Sequence, residues 1–385
     1  MKIGFDISQT GQNKAGCGYF ADSLILALSD IDRFNEYILY PYFGSSFWDS
    51  NGLKNTRRID AANFSTKIVA ETQRECFTFF ENFPPDAEKK LGDPDLIHAN
   101  NYSCPADLST AKIVYTLYDM SVIEHPEFTT EQNRWSCFNG IFNAANNADF
   151  ILSISDYSMK KFLDIFPHYP TERISVVYPG NRFNFNQDSN TGGDCFLNGL
   201  EQDKFWLAVG TIEPRKNLRR LLNAYAVYVK KSADPLSLVL AGGRGWLEDD
   251  LEQFVAKLGI SQKVKFLGYV SDDELNWLYR NCFGFIYPSL YEGFGLPVLE
   301  AMSRGAASIV SNVTSIPEVA GDAAHYVDPF KEPEIANAIC LLAENSDHRK
   351  RLKHLALKQA QKFSWKRCAS EVLEIYNQVF NSSKR

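Results

Sequence analysis

The sequence lacks paired cysteines, long hydrophobic runs and a leader-like N-terminus. Its eight cysteines are scattered singly with no C-x-x-C pair. This spacing excludes a zinc ribbon and a disulfide scaffold, and it predicts reduced thiols in the cytoplasm. No run of 18 or more apolar residues occurs, so no membrane-spanning helix is expected. The opening MKIGFDIS does not join a charged stretch to a long apolar one, so no signal peptide is expected.

An excess of positive charge is also missing. The chain carries 40 basic and 47 acidic residues, which leaves a net charge of −7. A strongly basic nucleic-acid-binding protein is therefore not expected. Hydrophobic residues make up 45% of the 385 residues, which is enough to build large cores. At about 150 residues per domain, the length predicts two or three domains.

Short apolar runs alternate with amphipathic helical patterns along the whole chain. Predicted strands cover 2–7, 37–42, 95–99, 112–117, 150–154, 206–209, 237–241, 264–267, 284–287, 307–310 and 325–327. Predicted helices cover 19–28, 131–146, 157–166, 218–230, 247–258, 272–280, 297–304, 333–344, 348–361 and 365–380. Apolar strands that alternate with helices indicate parallel sheets covered on both faces. The pattern predicts an α/β chain of two doubly wound domains.

The break between the two halves falls in a stretch without periodicity. Residues 178–204 contain a cluster of Pro, Gly, Asn and Asp, which is typical of a connection. We expect a first domain over 1–180, a linker over 181–204, a second domain over 205–364 and a last helix within 365–385. The last two helical patterns are rich in Lys and Arg. The basic residues predict a solvated helix face, and the alternative is a face that meets anionic lipid headgroups.

Two segments that follow predicted strands carry candidate chemistry, because ligands of parallel sheets bind at the carboxyl ends of strands. Arg215 and Lys216 stand in GTIEPRKNL, before or at a helix start. There the helix dipole and two cations favour a phosphate, and the alternative is a pair of solvated cations. Glu292 and Glu300 stand in YEGFGLPVLEAM, where Gly293 and Gly295 permit close approach to a ligand. Glu300 is either a ligand of a ribose diol or an exposed helix residue.

Other motifs give weaker signals. Gly11, Gly16 and Gly18 follow the first strand, but their spacing is neither G-x-G-x-x-G nor a P-loop. The D-x-D pairs at 93–95 and 30–32 do not end strands, so we interpret both as turns. No His, Cys and Asp cluster has metal-ligand spacing, so no metal and no cofactor is expected.

The segment YEGFGLPVLEAM, together with GTIEPRKNL before it and SNVTSIPEVAGDAAHYVDP after it, resembles the retaining glycosyltransferases of family 4. Glu292 and Glu300 match the family's E-x7-E signature, and the resemblance covers nearly the whole chain. It implies the GT-B architecture, in which two Rossmann-like domains face a cleft. In that architecture the N-terminal domain binds the acceptor, the C-terminal domain binds the nucleotide sugar, and the last helix packs on the N-terminal domain.

The resemblance also implies roles for individual donor-binding residues. Glu292 would contact hydroxyls of the donor sugar, and Glu300 would hold the nucleotide ribose. Arg215 and Lys216 would neutralise the diphosphate. The remaining donor-binding candidates are the backbone of Phe294, Gly295 and Leu296 at sugar and phosphate, Tyr269 and Val270 beside the base, and Gly16 and Gly18 in the loop over the diphosphate.

The segment TLYDMSVIEHPEF departs from the family pattern. Members often carry a His before the Asp, near the reactive end of the donor sugar, whereas this chain has Tyr118 before Asp119. With Glu292, these two residues are the candidate catalytic residues. Tyr118 can donate a hydrogen bond but does not titrate near neutrality. The alternative is a Tyr packed at the end of a strand.

The implied activity is metal-independent transfer of a sugar from a nucleotide sugar with retention at the anomeric carbon. The subtype is similar to bacterial enzymes of O-antigen and exopolysaccharide assembly, many of which use GDP-mannose. We therefore expect mannosyl transfer to a glycan or lipid-linked glycan, in the cytoplasm or peripherally at the inner face of the membrane. A UDP-sugar is the alternative donor. Other classes left open are a GT-B epimerase, a nucleotide-binding scaffold and an NAD-dependent oxidoreductase, although the last lacks G-x-G-x-x-G after its first strand.

Overall fold

The computed structural model describes residues 1–11, 14, 16–44, 55–70, 72–106, 108–183, 199–246 and 250–382. The chain forms two compact units. The first unit comprises Met1–Pro126, Thr130–Gly180 and Ser364–Arg385, and the second comprises Glu127–Thr129 and Asn181–Phe363. Most of the expected linker, the first residues of the predicted helix 247–258, and Cys195 lie outside the described residues. The seven described cysteines are free thiols.

The first unit is built on a seven-stranded parallel sheet with the order β3-β2-β1-β4-β5-β6-β7. Its strands are β1 Lys2–Asp6, β2 Glu36–Tyr40, β3 Phe64–Thr66, β4 Leu96–Ala99, β5 Lys112–Leu117, β6 Phe150–Ser153 and β7 Ile174–Val176. The strand order reverses between β1 and β4. The carboxyl ends of β1 and β4 therefore flank the switch point at which such sheets bind ligands.

Helices cover the sheet of the first unit. They are α1 Gly16–Ile31, α2 Gln73–Glu81, α3 Ala87–Leu91, α4 Ser121–Glu124, α5 Glu131–Asn147 and α6 Asp156–Ile165. Side-chain oxygens of Thr130 and Ser155 accept hydrogen bonds from backbone N–H groups in the first turns of α5 and α6. The buried core between these layers combines aliphatic residues, such as Ile97, Ile141 and Ile151, with aromatic ones, such as Tyr115 and Phe162.

The second unit repeats this plan with a six-stranded parallel sheet of order β10-β9-β8-β11-β12-β13. Its strands are β8 Phe205–Val209, β9 Ser237–Ala241, β10 Val264–Gly268, β11 Gly284–Tyr287, β12 Ser308–Ser311 and β13 Ala324–Val327. Its helices are α7 Leu218–Lys231, α8 Leu251–Lys257, α9 Asp272–Asn281, α10 Leu296–Ser303, α11 Ile316–Ala320, α12 Glu332–Glu344 and α13 Ser346–Ala360. Here the order reverses between β8 and β11.

The last helix, α14 Trp365–Asn381, belongs to the first unit and packs against α1. Tyr376 of α14 is hydrogen-bonded to the buried His98 of β4. Lys112, at the start of β5, donates to the last carbonyls of α14, among them that of Val379 at 2.6 Å. The helix is thus tied to the sheet by buried polar contacts as well as by apolar packing.

The predicted fold class is confirmed, since both units are doubly wound parallel sheets. Every predicted strand is present, with ends shifted by no more than two residues. The sequence pattern missed β3 and β7, which have three residues each, and the short helices α2, α3, α4 and α11. None of the described helices has the length and apolarity needed to cross a membrane.

Candidate active site

The basic pair lies where the strand order of the second unit reverses. After β8, residues Pro214–Lys216 form one 3-10 turn that leads into α7. Asn217 joins the two with a left-handed φ of 60°. Its side-chain amide donates to the carbonyls of Pro288 and Pro329 at 3.0 and 2.7 Å. The turn is thereby fixed to the segment that follows β11.

Glu292 is the shared partner of both cations. Arg215 NH1 lies 2.7 Å from one carboxylate oxygen of Glu292, and Lys216 Nζ lies 2.7 Å from the other. Lys216 also donates to the Tyr287 hydroxyl at 2.7 Å. Glu292 and Lys216 are 5% and 8% exposed, so the pair is almost wholly removed from water. Such charge-assisted bonds are the strong kind in a protein interior.

The ionisation of this cluster follows from burial and neighbouring charge. Burial by itself would raise the pKa of Glu292, but Arg215 and Lys216 outweigh it and lower that pKa to about 2. Burial and the charge of Arg215 lower the pKa of Lys216 from its ordinary value. Glu292 is therefore an anion at neutral pH and serves as an acceptor of hydrogen bonds.

A fourth charged group, Glu213, joins the cluster. This side chain is buried, and one of its oxygens lies 2.8 Å from Arg215 NH2. Sequence reasoning did not single it out, although its position before Pro214 in the GTIEPRKNL segment is a signal that it lies in the same turn. The two carboxylates balance the two cations, so the site has no net charge before a ligand arrives.

Glycines give Lys216 an open pocket at the carboxyl edge of the sheet. Gly210 directly follows β8 and Gly242 directly follows β9, with φ of 147° and 153°. A Cβ on Gly242 would lie 2.0 Å from the Gly210 carbonyl oxygen, so no larger residue fits there. The pocket beside them is lined by Lys216, Leu218, Phe266, Tyr287 and further residues of β8 to β11. Its position is that of a ligand site in a doubly wound sheet.

The segment after β11 holds Glu292 and begins α10. The Glu292 N–H donates to Thr314 Oγ1 at 3.1 Å, and Ser315 Oγ donates to the Glu292 carbonyl at 2.8 Å. Gly295 precedes the helix with a φ of 102°, and a Cβ there would lie 2.6 Å from Ile316 Cδ1. Phe294 is buried against Phe363, and Leu296 is the first residue of α10.

Glu300 lies on the buried face of α10, not on an exposed one. Arg182 Nε lies 2.7 Å from one of its carboxylate oxygens, and the Tyr279 hydroxyl donates to the other at 3.0 Å. Burial raises the pKa of Glu300 overall, although Arg182 and Tyr279 act in the opposite direction. Arg182 and Tyr279 were not found from the sequence, because nothing local links them to Glu300.

Tyr269 and Val270 directly follow β10. Tyr269 is 56% exposed and Val270 is half-buried. Neither residue has a described contact with the Glu292 or the Glu300 cluster. Their predicted place beside a nucleotide base stays a prediction.

The N-terminal glycines lie at the start of α1 in the first unit. Gly16 is exposed with open space around it. Gly18 is buried, and a Cβ there would lie 2.2 Å from the Gln9 carbonyl oxygen. Gln9, which follows β1, therefore packs directly on the first turn of α1, at a position that only glycine fits.

Tyr118 and Asp119 follow β5. The Tyr118 hydroxyl donates to the Asn100 carbonyl at 2.6 Å, and burial raises its pKa well above its ordinary value. Tyr118 is thus packed at the end of a strand, and its role as a candidate catalytic residue stays a prediction. Asp119 accepts from the N–H and the hydroxyl of Ser121 at 2.9 and 2.6 Å.

The pair at 93–95 lies in the connection before β4 as predicted, whereas the turn predicted at 30–32 is wrong in part, since Asp30 belongs to the last turn of α1 and only Asp32 follows it. Asp95 accepts from the Lys2 N–H at 2.7 Å at the amino end of β4, and Asp32 accepts from the Tyr37 hydroxyl at 2.7 Å. Among the described residues, no group of three or more His, Cys, Asp and Glu side chains is placed to hold a metal ion. On the last two helices, Lys350, Arg367 and their basic neighbours are largely exposed.

Known proteins are similar to this chain in sequence. Residues 197–359 match the family described as glycosyl transferases group 1. The O-antigen chain mannosyltransferase B of Escherichia coli is 34% identical over 285 residues, which are 73% of this chain and 74% of that protein. The chain belongs to the glycosyl transferases of group 1. The serotype-specific mannosyltransferase WbdA of Escherichia coli is 30% identical over 305 residues, which are 74% of this chain but only 36% of WbdA.

Solved structures share the fold of this group 1 glycosyltransferase. HepE of Anabaena, crystallised in complex with UDP and glucose, superposes with a TM-score of 0.74 at 19% identity. The match covers 98% of this chain and 100% of that one. The fold is GT-B, as the E-x7-E resemblance implies. Within the second unit, the structure brings together Arg215, Lys216 and Glu292, and it places Glu300 in a separate buried cluster.

Proposed function

We propose that this glycosyltransferase moves mannose from GDP-mannose, with retention and without a metal, to a glycan or lipid-linked glycan of a bacterial surface polysaccharide. Support for the sugar comes from the relatives, whose names describe O-antigen mannosyltransferases. Support for the chemistry comes from the cluster of Arg215, Lys216 and Glu292 at the switch point of the second unit. That cluster is the observation that carries the proposal.

The departure of a nucleoside diphosphate builds negative charge on its terminal phosphate. Arg215, Lys216 and the N-terminal N–H groups of α10 would stabilise that charge, which is a role that other transferases give to a metal. Glu292, held as an anion, would accept hydrogen bonds from hydroxyls of the donor sugar. Glu300 would accept them from the ribose, and Tyr269 and Val270 would lie beside the base.

The first unit would supply the acceptor side. In this proposal its switch point binds the acceptor, Gly16 and Gly18 belong to the loop over the diphosphate, and Asp119 acts near the reactive carbon. Tyr118 would position the neighbouring backbone, since its hydroxyl is committed to a carbonyl. The exposed basic residues of α13 and α14 would allow peripheral contact with an anionic membrane surface in the cytoplasm.

A thermal-shift panel of GDP, UDP, ADP and dTDP tests the donor class. At a hundred times its dissociation constant, the correct nucleotide adds roughly 2.7 kcal/mol of stability.

Lys216→Ala should weaken binding of that nucleotide by about 1.5–3 kcal/mol, because a charge-assisted bond is lost. The matched control is Lys257→Ala, an exposed lysine of α8. Equal changes in nucleotide affinity in the two variants would show that Lys216 does not bind the nucleotide.

Product analysis then separates the remaining alternatives. GDP-mannose with a lipid-linked glycan should give an α-configured mannoside from the α-configured donor, and chelation by EDTA should leave the rate unchanged. A product of inverted configuration would contradict the retaining mechanism. Preference for UDP would favour a UDP-sugar donor, and conversion of the donor without any acceptor would indicate an epimerase.

A further inference from the structure

Arg182 is the only described side chain that forms an ion pair with Glu300. Arg182 Nε lies 2.7 Å from Glu300 Oε1, and a second guanidinium nitrogen lies 3.4 Å from Oε2. The third nitrogen is 2.9 Å from a carboxylate oxygen of Asp272, which lies at the start of α9. Only 14% of the Arg182 side chain is exposed, against 60% for Asp272. The arginine therefore faces Glu300 from a nearly buried position.

The pose of Arg182 is fixed by its surroundings. Its guanidinium carbon lies 4.9 Å from the centre of the Phe183 ring, within the range of a cation–π contact. The same ring meets the edge of Tyr279, with ring centres 6.2 Å apart. Arg182, Phe183 and Tyr279 thus form one packed group around the carboxylate.

A ribose needs a specific state of Glu300. The hydroxyls of a diol donate hydrogen bonds, and an ionised carboxylate accepts at both oxygens, whereas a protonated one loses part of that capacity. A carboxylate buried without a counterion takes up a proton instead of staying charged. Glu300 Oε2 accepts a hydrogen bond from the Tyr279 hydroxyl at 3.0 Å and a longer one from an Arg182 nitrogen at 3.4 Å, whereas Oε1 lies 2.7 Å from Arg182 Nε without hydrogen-bond geometry. The lone pairs of Oε1 are therefore available to ribose hydroxyls.

We propose that Arg182 is a positioning residue, which keeps Glu300 ionised and turns its open lone pairs towards the 2′- and 3′-hydroxyls of the nucleotide. The inference rests on the proposed function, because it takes the ligand of the second unit to be a nucleoside diphosphate. It adds a determinant of ribose specificity that lies 118 positions away from Glu300 in the chain. Arg182 touches neither the ribose nor the reacting atoms in this arrangement.

The test compares ribonucleotides with their 2′-deoxy forms by isothermal titration. The pair is GDP and 2′-deoxy-GDP, or UDP and 2′-deoxy-UDP if the panel selects uridine. The unchanged protein should bind the ribonucleotide on the order of ten-fold more tightly or better, since one hydrogen bond to a charged acceptor is at stake. Arg182→Ala should bring the ratio of the two affinities, ribonucleotide to 2′-deoxynucleotide, close to one, with little change in the affinity for the deoxynucleotide. Arg182→Lys, which keeps the charge, should restore part of the ratio.

The controls separate the possible failures. Arg351→Ala removes an exposed arginine of α13 and should leave the ratio unchanged. If the unchanged protein binds none of the nucleotides, both the proposed function and the inference about Arg182 are overturned. If it discriminates ribose but Arg182→Ala discriminates equally well, only the inference is overturned. A parallel loss of affinity for both nucleotides would indicate a purely structural role and would also overturn it. Should Arg182→Ala not fold, Arg182→Gln gives the same comparison with a neutral donor in place.

Discussion

Glu292 is the shared counterion of Arg215 and Lys216. It accepts from Arg215 and Lys216 at 2.7 Å each, and Glu213 completes the charge balance. A diphosphate that enters this site must therefore compete with Glu292 and Glu213 for the same donors. The arrangement keeps two cations in a nearly buried place, which unpaired cations would not tolerate.

Replacing Glu292 by Gln should separate turnover from binding. The change removes a negative charge from beside Arg215 and Lys216, so affinity for the nucleoside diphosphate should stay the same or rise. Transfer should fall on the order of 10²-fold, because Gln is a poorer acceptor for the hydroxyls of a sugar that develops positive charge. Steady-state rates and calorimetric binding on the same preparation measure both quantities. Glu344→Gln, an exposed position at the end of α12, is the control. Unchanged turnover would show that Glu292 has only a structural role.

At the scale of elements, α14 depends on a lysine from a distant strand. Lys112 Nζ donates to the carbonyls of Val379, Phe380 and Ser382, and its side chain is almost fully buried. The last carbonyls of a helix have no partner within the helix, and a cation there also complements the helix dipole. Lys112 thus satisfies the end of α14 and attaches it to β5.

Lys112→Met should loosen α14 without unfolding the sheet. The substitution keeps the apolar stem but removes the Lys112 donor from the half-buried carbonyls of Phe380 and Ser382, whereas the Val379 carbonyl keeps the N–H and the hydroxyl of Ser382. The loss of these donors costs about 1–3 kcal/mol. Hydrogen exchange should become faster in peptides that cover the second half of α14, whereas peptides of α5 should keep their protection. Lys366→Met, at an exposed position in the first turn of α14, should change neither. Equal protection of α14 in both variants would contradict the anchoring role.

The elements that could be predicted from the sequence are those with a clear period. β5 and β11 occupy the predicted residues, because β5 is rich in β-branched and aromatic residues and β11 ends just before Pro288. β3 has only three residues, two of them exposed, so no alternation is long enough to detect. In the candidate site, Glu292, Lys216 and Arg215 stand in two recognisable segments. Arg182 and Tyr279 meet Glu300 only because the fold of the second unit brings them there.

Across the whole molecule, buried ionisable groups respond to acid in opposite directions. Burial lowers the pKa of His98 to about 3, so the unfolded chain takes up a proton first as the pH falls below 6.5 and stability decreases. Burial raises the pKa of Asp6 from 3.8 to about 6, so the folded chain takes up a proton first and stability increases from pH 6 towards 3.8. In the second unit, the pKa of Glu292 is lowered, so its contribution to stability is lost only when the pH falls below about 4.5. Between pH 6 and 4 the first two effects offset each other.

Asp6→Asn tests whether the two effects offset each other, because it removes the stabilisation that protonation of Asp6 provides and leaves the destabilisation by His98. Asp6 lies at the carboxyl end of β1, where its oxygens accept from the N–H groups of Ser8 and Asn100 at 2.8 and 3.2 Å, and the amide oxygen of Asn can keep one of these bonds. One pKa unit corresponds to about 1.4 kcal/mol, so the variant should lose roughly 3 kcal/mol relative to the unchanged protein between pH 6 and 4. Hydrogen exchange in β1 and β4, corrected for the intrinsic effect of pH, measures the difference within the first unit. Asp86→Asn, at a position whose side chain is 55% exposed, should show no such divergence. If the two proteins lose protection in parallel as the pH falls, Asp6 stays ionised in the folded chain over this range and does not offset the effect of His98.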